Sequence, residues 1–169
     1  MRVLGIDPGL RITGYGCIEA EAPEAFACEA RLVEAGIIRL AAPGATVADR
    51  LVELDRDLGA LLARTRPDLV CIEELFSHYK RPQTAVIMAH GRGVILLAVR
   101  RAGLPVAEFK PTAVKKSLTG SGHASKEQMQ RAIQMRFGLA EAPSPPDVAD
   151  ALAIALCGLW RSGMQRADR

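Results

Sequence analysis

The chain begins with a short apolar run that ends in a carboxylate and a tight turn, Val3-Leu4-Gly5-Ile6-Asp7-Pro8-Gly9. Such a run, closed by Pro-Gly, predicts a buried central strand, because Pro8 cannot donate a hydrogen bond to a sheet and Gly9 permits a sharp exit. Asp7 then stands at the end of the strand, partly removed from water. A carboxylate there needs a cation or hydrogen-bond donors, so the position favours a metal or a phosphate-bearing ligand. The structural alternative is an Asp that only accepts hydrogen bonds from its own turn.

The first half of the chain reads as strands followed by one helix. Two further strands, from Ile12 to Ala20 and from Phe26 to Leu40, have short connections, which predicts an antiparallel meander. Within the second strand, glycines leave one face bare, so something can approach the backbone there. The sequence Thr46-Val47-Ala48-Asp49 is a capping box and predicts an amphipathic helix that ends before Pro67. Asp68 to Glu73 is the fourth predicted strand, and it is continuously apolar from Leu69 to Ile72, as expected for a strand covered on both faces.

The second half reads as helices with one short strand among them. The last helix is almost wholly apolar from Val148 to Trp160, which predicts deep burial. Ser162 to Arg169 is a polar segment, which we expect to be a frayed tail, leaving residues 1–161 as one domain. The predicted elements are a helix from Thr84 to Gly103, a strand from Leu104 to Phe109, a helix from Pro111 to Leu118, a helix capped by Ser125 that ends at Phe137, and a last helix capped by Ser144.

Composition narrows the classes of protein. With 169 residues, 49% of them apolar, the chain can bury the core of one ordinary domain. Its apolar runs stay well below the roughly 18 residues that a membrane span needs, and the N-terminus lacks the pattern of a signal peptide, so we expect a cytosolic protein without a membrane partner. The cysteines are scattered and indicate neither a zinc site nor a disulfide framework, at Cys17, Cys28, Cys71 and Cys157.

Charge is distributed unevenly along the sequence. Between Leu75 and Phe137 the chain carries eleven lysines and arginines against two acids, a net charge of +9. The rest carries eleven bases against seventeen acids, a net charge of −6, which leaves the whole chain at +3. A middle third this basic indicates a surface for a polyanion, and an ordinary solvated surface is the alternative.

Four acids form the constellation that carries chemistry. Asp7 and Glu73 end two strands that are candidates for neighbours, and Asp147 and Asp150 open the last helix on one face. Capping and compensation of the helix dipole explain Asp147 well and Asp150 less well. Four oxygen donors without a Cys or His cluster suit Mg²⁺ or Mn²⁺ better than zinc, and such clusters serve attack of water on a phosphodiester. The leading hypothesis is therefore metal-dependent hydrolysis of nucleic acid.

The order of these motifs resembles the bacterial RuvC family of Holliday-junction resolvases. The resemblance implies a ribonuclease H-like α/β fold, with a five-stranded mixed sheet whose first three strands are antiparallel, flanked by helices. It also implies a homodimer that nicks two opposed strands of a four-way junction symmetrically and leaves 5′-phosphate ends. The matching motifs are Gly5-Ile6-Asp7-Pro8-Gly9, Thr13-Gly14-Tyr15-Gly16, Ile72-Glu73 with Phe76, Gly91-Arg92-Gly93, Lys115, Lys126, and Asp147 to Ala155.

The resemblance also implies roles for individual residues. Asp7, Glu73, Asp147 and Asp150 would be the catalytic acids that bind Mg²⁺, or Mn²⁺ in its place, with two ions in each site; some members have His at the position of Asp147. Lys115 and Lys126 match lysines that contact the DNA backbone near the cut. Phe76 matches an aromatic that stacks on unpaired bases, and a packing role under its loop is the alternative. Arg92 and Lys116 are further candidates for DNA binding, whereas His78 and Tyr79 receive no role.

Two histidines and two partner proteins complete these expectations. His123 lies in a glycine-rich loop, where we expect a solvent-exposed side chain rather than a phosphate contact. His90 lies on an apolar helix, where a core or interface histidine is expected; that helix, Thr84 to Gly103, is a candidate dimer contact or packs on its own sheet. The resemblance implies cooperation with the RuvA and RuvB branch-migration proteins.

Three other classes of protein remain as alternatives. A YqgF-like nuclease acting on RNA shares the opening turn, but the closing Asp-x-x-Asp helix and the spacing from Glu73 to Phe76 favour the RuvC family. An actin-like or sugar-kinase ATPase needs two such domains, which 169 residues cannot supply. A junction-binding protein without catalysis would gain nothing from acids that face phosphates.

Overall fold

The computed structural model describes residues 1–9, 11–21, 29–40, 44–74 and 82–167. Five strands form one mixed sheet in the order β3-β2-β1-β4-β5. β1 to β3 are antiparallel neighbours, while β4 is parallel to β1 and β5 is parallel to β4, which confirms the expected α/β sheet. The elements are β1 (Arg2–Asp7), β2 (Ile12–Glu19), β3 (Arg31–Arg39), α1 (Val47–Thr65), β4 (Leu69–Glu73), α2 (Pro82–Arg101), β5 (Val106–Phe109), α3 (Pro111–Thr119), α4 (Lys126–Phe137) and α5 (Pro146–Ala167).

The alternation of strand side chains divides the core between two faces of the sheet. On β1, Val3 packs with α3, α4 and α5, whereas Leu4 and Ile6 pack with α1 and α2. Because successive side chains point to opposite faces, Asp7 belongs to the face of Val3, which α5 covers. Strand β4 is buried from Leu69 to Ile72, so its predicted coverage on both faces is confirmed.

Helix α5 lies directly on the backbone of β1 and β2. A Cβ atom added at Gly5 would lie 2.1 Å from the carbonyl oxygen of Ala151, and one at Gly14 would lie 2.2 Å from that of Asp147. A Cβ at Gly16 would lie 2.6 Å from the Leu152 side chain of the same helix. Distances this short exclude any side chain, so the bare face predicted for β2 is confirmed, and α5 occupies it.

Local signals start and stop the helices on the other face. Thr46 caps α1, accepting from the backbone N–H of Asp49, while the Asp49 carboxylate accepts from the Thr46 backbone, as the predicted capping box requires. The helix ends at Arg66, a non-glycine residue in the left-handed region with φ of 45°. Leu54 and Leu58, buried at one-turn spacing, fix α1 on the sheet.

The last helix differs from the prediction at both ends. It begins at Pro146, after a cis Ser144–Pro145 bond. The residue directly before the helix is therefore Pro145, and the prediction that Ser144 caps the helix is wrong. It ends at Ala167, so the predicted tail from Ser162 is helical to that residue, because this stretch holds no proline and its residues tolerate a helix.

Other expectations about the fold have mixed outcomes. Cys17, Cys71 and Cys157 are free and buried, as expected of packing residues, whereas Cys28 and the predicted strand residues 26–28 lie outside the described residues. Within the described ranges, no helix is long and apolar enough to span a bilayer.

Candidate active site

Two of the predicted acids end neighbouring parallel strands. The register of β1 and β4 pairs Ile6 with Ile72, so Asp7 and Glu73 are the next residues along each strand. Both follow residues of the α5-covered face at a spacing of two, since Cys71 packs in the same core cluster as α5. The strand-end prediction is confirmed in that the two carboxylates lie side by side on one face.

The start of α5 supplies the other two acids. Because Gly14 lets the backbone of Asp147 rest on β2, the first turn of α5 lies beside the end of β1. Asp150 follows one turn later and lines a cavity of about 300 Å³ together with Asp7 and Glu73. Asp147 does not line this cavity, although its charge acts on both Asp7 and Asp150. The lining residues are Asp7, Glu73, Pro111, Val114, Lys115, Lys126, Met129 and Asp150.

Burial and the neighbouring acids strongly raise the pKa of Asp7. Burial raises the pKa of Asp7 to about 8, and the negative charges of Asp150, Glu73 and Asp147 contribute to the rise. Lys126 opposes the rise in the pKa of Asp7. A carboxyl group with such a pKa is protonated for much of the time near neutral pH unless a cation joins it, which marks the site as one that attracts positive charge.

The pKa values of Glu73 and Asp150 are raised by the same main cause, which is burial. Burial raises the pKa of Glu73 to about 7, with Asp150 adding to the rise and Lys115 opposing it. Burial also raises the pKa of Asp150, while Lys126 and Lys115 lower it. The two lysines therefore compensate only part of the negative charge that the fold gathers here.

A helical hairpin delivers these two lysines. Lys115 lies on α3, and its Nζ donates to the carbonyl oxygen of the buried residue Ala124 at 3.0 Å. Lys126 is the first residue of α4, which Ser125 caps by accepting from the backbone N–H of Gln128. The contact between Lys115 and the segment before α4 holds the ammonium group at the cavity, beside the carboxylates.

The donor set fits a hard divalent cation in its chemistry and charge. All four acids offer oxygen ligands, and the raised pKa values of Asp7 and Glu73 indicate unbalanced negative charge that a cation would balance. However, among the residues that the structure describes, no three His, Cys, Asp or Glu side chains are grouped closely enough to hold one metal ion. Asp7, Glu73 and Asp150 share the cavity, and the carboxylates are not gathered into a coordination sphere.

The structure does not bring every predicted DNA-binding residue to this cavity. Lys116 is exposed and does not line it. Arg92 lies on α2, which covers the opposite face of the sheet, and it is ion-paired there with Glu108. The predictions for Phe76 and the unassigned His78 and Tyr79 lie outside the described residues.

Histidines and apolar lining residues differ in how well the sequence predicted them. His123 is exposed, as expected for its loop. His90 is exposed too, so it is not a core residue of this chain.

Sequence reasoning missed Val114 and Met129 in the cavity wall. The spacing of Met129, three residues after Lys126, was a signal for a shared helix face.

Comparison with known proteins agrees with this geometry. The family model described as crossover junction endodeoxyribonuclease RuvC matches residues 3–158. The chain is 49% identical over 156 residues to crossover junction endodeoxyribonuclease RuvC of Rhodopirellula baltica, covering 92% of this chain and 84% of that protein. Thermus thermophilus RuvC has a TM-score of 0.85 at 35% identity, covering 98% of this chain and 97% of that one. T. thermophilus RuvC in complex with Holliday junction substrate has a TM-score of 0.84 at 32% identity, covering 97% and 96%. The chain belongs to the RuvC family.

Proposed function

We propose that this protein resolves Holliday junctions as a structure-selective, metal-dependent endodeoxyribonuclease. It nicks two opposed strands symmetrically and leaves 5′-phosphate ends that a ligase can seal. The observation that carries the proposal is the meeting of carboxylates from β1, β4 and α5 with two lysines around one cavity, in a chain of the RuvC family. A binding protein without catalysis would lose affinity through acids that face phosphates, so the acids favour chemistry.

Asp7, Glu73, Asp147 and Asp150 are the residues that would hold the metal. Their donors favour Mg²⁺, with Mn²⁺ as a substitute, and we propose two ions per site. When bound, the ions would supply Lewis acidity for activating water and for stabilising the leaving oxygen. The carboxylates themselves stay ionised once a cation offsets their mutual repulsion, which is the condition for them to act as ligands.

Lys115 and Lys126 would hold the scissile phosphate and offset the charge that develops on it. Both stand close enough to the acids to act on their pKa values, and Lys115 is fixed by its bond to Ala124. A lysine held in place before the reaction needs no reorganisation when charge develops. We further propose that Phe76 stacks on unpaired bases and that Lys116, exposed on α3, contacts the DNA backbone.

A homodimer would place two such sites on the two strands that must be cut. The outer face of α2 supports this proposal, because Val86 is 57% exposed and Leu97 is 48% exposed. Ala89 and Gly93 lie between them on the same helix face and are exposed as well. Large exposed side chains of this kind, on a stripe with small residues that permit close approach, favour a contact between two helices.

The dimer proposal has a matched control within the chain. Leu97→Glu is expected to shift the protein toward the monomer in analytical ultracentrifugation and to uncouple the two nicks. Met135→Glu changes a side chain that is 77% exposed on α4, away from the α2 stripe, and is expected to leave the dimer intact. Equal sedimentation of both variants as dimers would contradict a contact through α2.

Partners and place of action follow from the proposed substrate. We propose that the protein acts on cellular DNA in the cytoplasm and cooperates with RuvA and RuvB, which move the junction to its cutting site. Family membership supports this cooperation. Adding RuvA and RuvB to a junction whose preferred sequence lies off-centre is expected to raise the yield of nicked product.

Strand scission on a synthetic mobile four-way junction tests the proposed function. A linear duplex of equal length and a single-stranded RNA run beside it, each with Mg²⁺, with Mn²⁺ and with chelator. Paired, ligatable nicks in the junction alone and only with metal are the expected result. Binding without scission in every metal would leave a structural junction binder, and scission of RNA alone would favour a YqgF-like nuclease.

A further inference from the structure

Arg92 is held in an environment unlike that of a DNA-contacting side chain. It lies on α2, and its guanidinium Nη2 donates to a carboxylate oxygen of Glu108 on β5. The side chain is only 17% exposed, and its buried Nε has no hydrogen-bond partner among the residues that the structure describes. A guanidinium that is this desolvated and already paired is poorly placed to bind a phosphate at the cavity, which lies on the other face of the sheet.

Its partner Glu108 stands at the end of the edge strand. Within β5, Val106 packs with the α1 and α2 core cluster, and alternation places Glu108 on the same face. The next residue, Phe109, is aligned with Glu73 in the parallel register of β4 and β5. The Phe109 carbonyl oxygen also accepts from the backbone N–H of Glu74 at 2.8 Å. The end of β5 therefore pairs with the last residue of β4, the proposed catalytic acid Glu73, beyond the point where the pairing of β4 with β1 ends at Ile72.

The same strand end also leads into α3. Only Lys110 separates Phe109 from Pro111, the first residue of α3 and a residue of the cavity wall. Lys115 follows one turn later and acts on the pKa of Glu73. Displacement of the end of β5 would therefore move an acid and a lysine of the site together.

We propose that Arg92 is a positioning residue for the cleavage reaction, because its ion pair with Glu108 fixes the end of β5 and thereby sets Glu73 and Lys115 at the cavity. The inference rests on the proposed nuclease function and replaces direct DNA binding as the role of Arg92. It joins α2, the candidate dimer helix, to the end of β5 through one ion pair, and through β5 to the site.

A double-mutant cycle tests the pair. Arg92→Met, Glu108→Gln and the double variant are compared with the unmodified protein in single-turnover junction nicking with Mg²⁺, in junction binding with chelator at two salt concentrations, and in thermal unfolding. We expect each single variant to lower the nicking rate by about tenfold to a hundredfold with unchanged junction affinity, since a small displacement suffices for such a loss. The double variant is expected to lose no more than the single variants, because both remove one interaction.

A second ion pair on the α1–α2 face provides a control that distinguishes an effect on positioning from an effect on stability. Arg64 on α1 and Glu34 on β3 lie 2.7 Å apart, and β3 is the edge strand opposite β5 in the sheet. Arg64→Met with Glu34→Gln is expected to lower the unfolding temperature without changing the nicking rate.

Two results would overturn the proposal. Loss of junction affinity and of salt dependence in Arg92→Met, with Glu108→Gln unaffected, would make Arg92 a phosphate contact. Unchanged nicking rates in both single variants would leave the pair a purely structural contact. The unmodified protein in the same gel separates the two hypotheses: if it does not nick junctions, the proposed function fails and this inference with it, whereas nicking by all variants alike overturns this inference alone.

Discussion

The two faces of the sheet are covered by helices in physically different ways. On one face, Gly5 and Gly14 remove the side chains that would hold α5 away, so helix backbone rests on strand backbone. On the other face, α1 and α2 stand on large side chains such as Leu58 and Ile95, and an ion pair of Arg64 ties α1 to β3. The first face carries the acids, and the second carries ordinary side-chain packing.

This difference shows how the fold gives fixed positions to residues that are far apart in sequence. Backbone-to-backbone contact leaves α5 little freedom to slide or rotate, so Asp147 and Asp150 are fixed relative to Asp7. Layers separated by leucine and isoleucine side chains can adjust when one side chain changes. We therefore expect changes on the α5-covered face to affect chemistry. On the other face we expect changes in leucine and isoleucine packing to affect chiefly stability, with the Arg92–Glu108 pair as the proposed exception.

The largest expected effect on stability lies on the face without acids. Leu58→Ala removes a side chain that is 1% exposed between α1 and the sheet. We expect the free energy of unfolding to fall by about 2–5 kcal/mol, from lost burial and from the cavity left behind. Urea unfolding measures that loss, and the nicking rate per folded molecule is expected to stay near that of the unmodified protein. A loss of nicking larger than the loss of folded protein would break the distinction between the faces.

A smaller change, on the α5-covered face, is expected to lower both the stability and the nicking rate. Gly14→Ala would put a methyl group within 2.2 Å of the Asp147 carbonyl oxygen, so α5 must shift. We expect a loss of about 1–3 kcal/mol in the free energy of unfolding, and a fall in nicking rate of about a hundredfold. Gly59→Ala is the matched control, because a Cβ at that exposed helix position meets nothing within 4 Å. It is expected to stabilise α1 by about 0.5–1 kcal/mol and to leave nicking unchanged.

The acids also predict how stability depends on pH in the absence of metal. The pKa of Asp7 is raised to about 8 in the folded state from an ordinary value of 3.8, so the folded protein binds the proton more tightly than the unfolded chain does. Stability is therefore present at low pH and is lost as the pH rises toward 8, by up to about 1.4 kcal/mol per pH unit for this one group.

Thermal unfolding with chelator, from pH 5 to pH 8, measures that dependence. Asp7→Asn removes the titrating group and is expected to flatten the fall relative to the unmodified protein. Glu73, with its pKa raised to about 7, contributes a second fall over a similar range that the variant retains. An identical pH dependence in Asp7→Asn and the unmodified protein would mean that Asp7 is solvated rather than buried among acids.

Local patterns predicted the parts of the site that depend on strands and on helix periodicity. Asp7 and Glu73 each end an apolar run in the sequence, and the parallel register of β1 and β4 brings their carboxylates to one edge of the sheet. The burial of α5 followed from its apolar composition, and the bare face of β2 followed from Gly14 and Gly16. Each of these signals lies within a few residues of the feature it predicts.

Other features depend on contacts between distant segments, which periodicity does not encode. Arg92 is a candidate for DNA binding in the sequence, and no local pattern there predicts its ion pair with Glu108 of β5. The bond from Lys115 to the Ala124 carbonyl depends on how the turn between α3 and α4 folds back. α5 begins at Pro146, one residue later than the pattern Ser144-Pro145-Pro146-Asp147 predicts when Ser144 is taken as the cap.

Junction scission by four single variants tests most directly whether the acids on the α5-covered face form one catalytic centre. Asp7→Asn, Glu73→Gln, Asp147→Asn and Asp150→Asn are each assayed for junction binding with chelator and for single-turnover nicking with Mg²⁺. We expect every variant to bind the junction at least as tightly as the unmodified protein, because each removes a negative charge facing phosphates, and to nick it at least about a thousandfold more slowly. A variant that nicks at the unmodified rate would remove its residue from the centre, and normal nicking by Asp7→Asn would contradict the proposed site altogether.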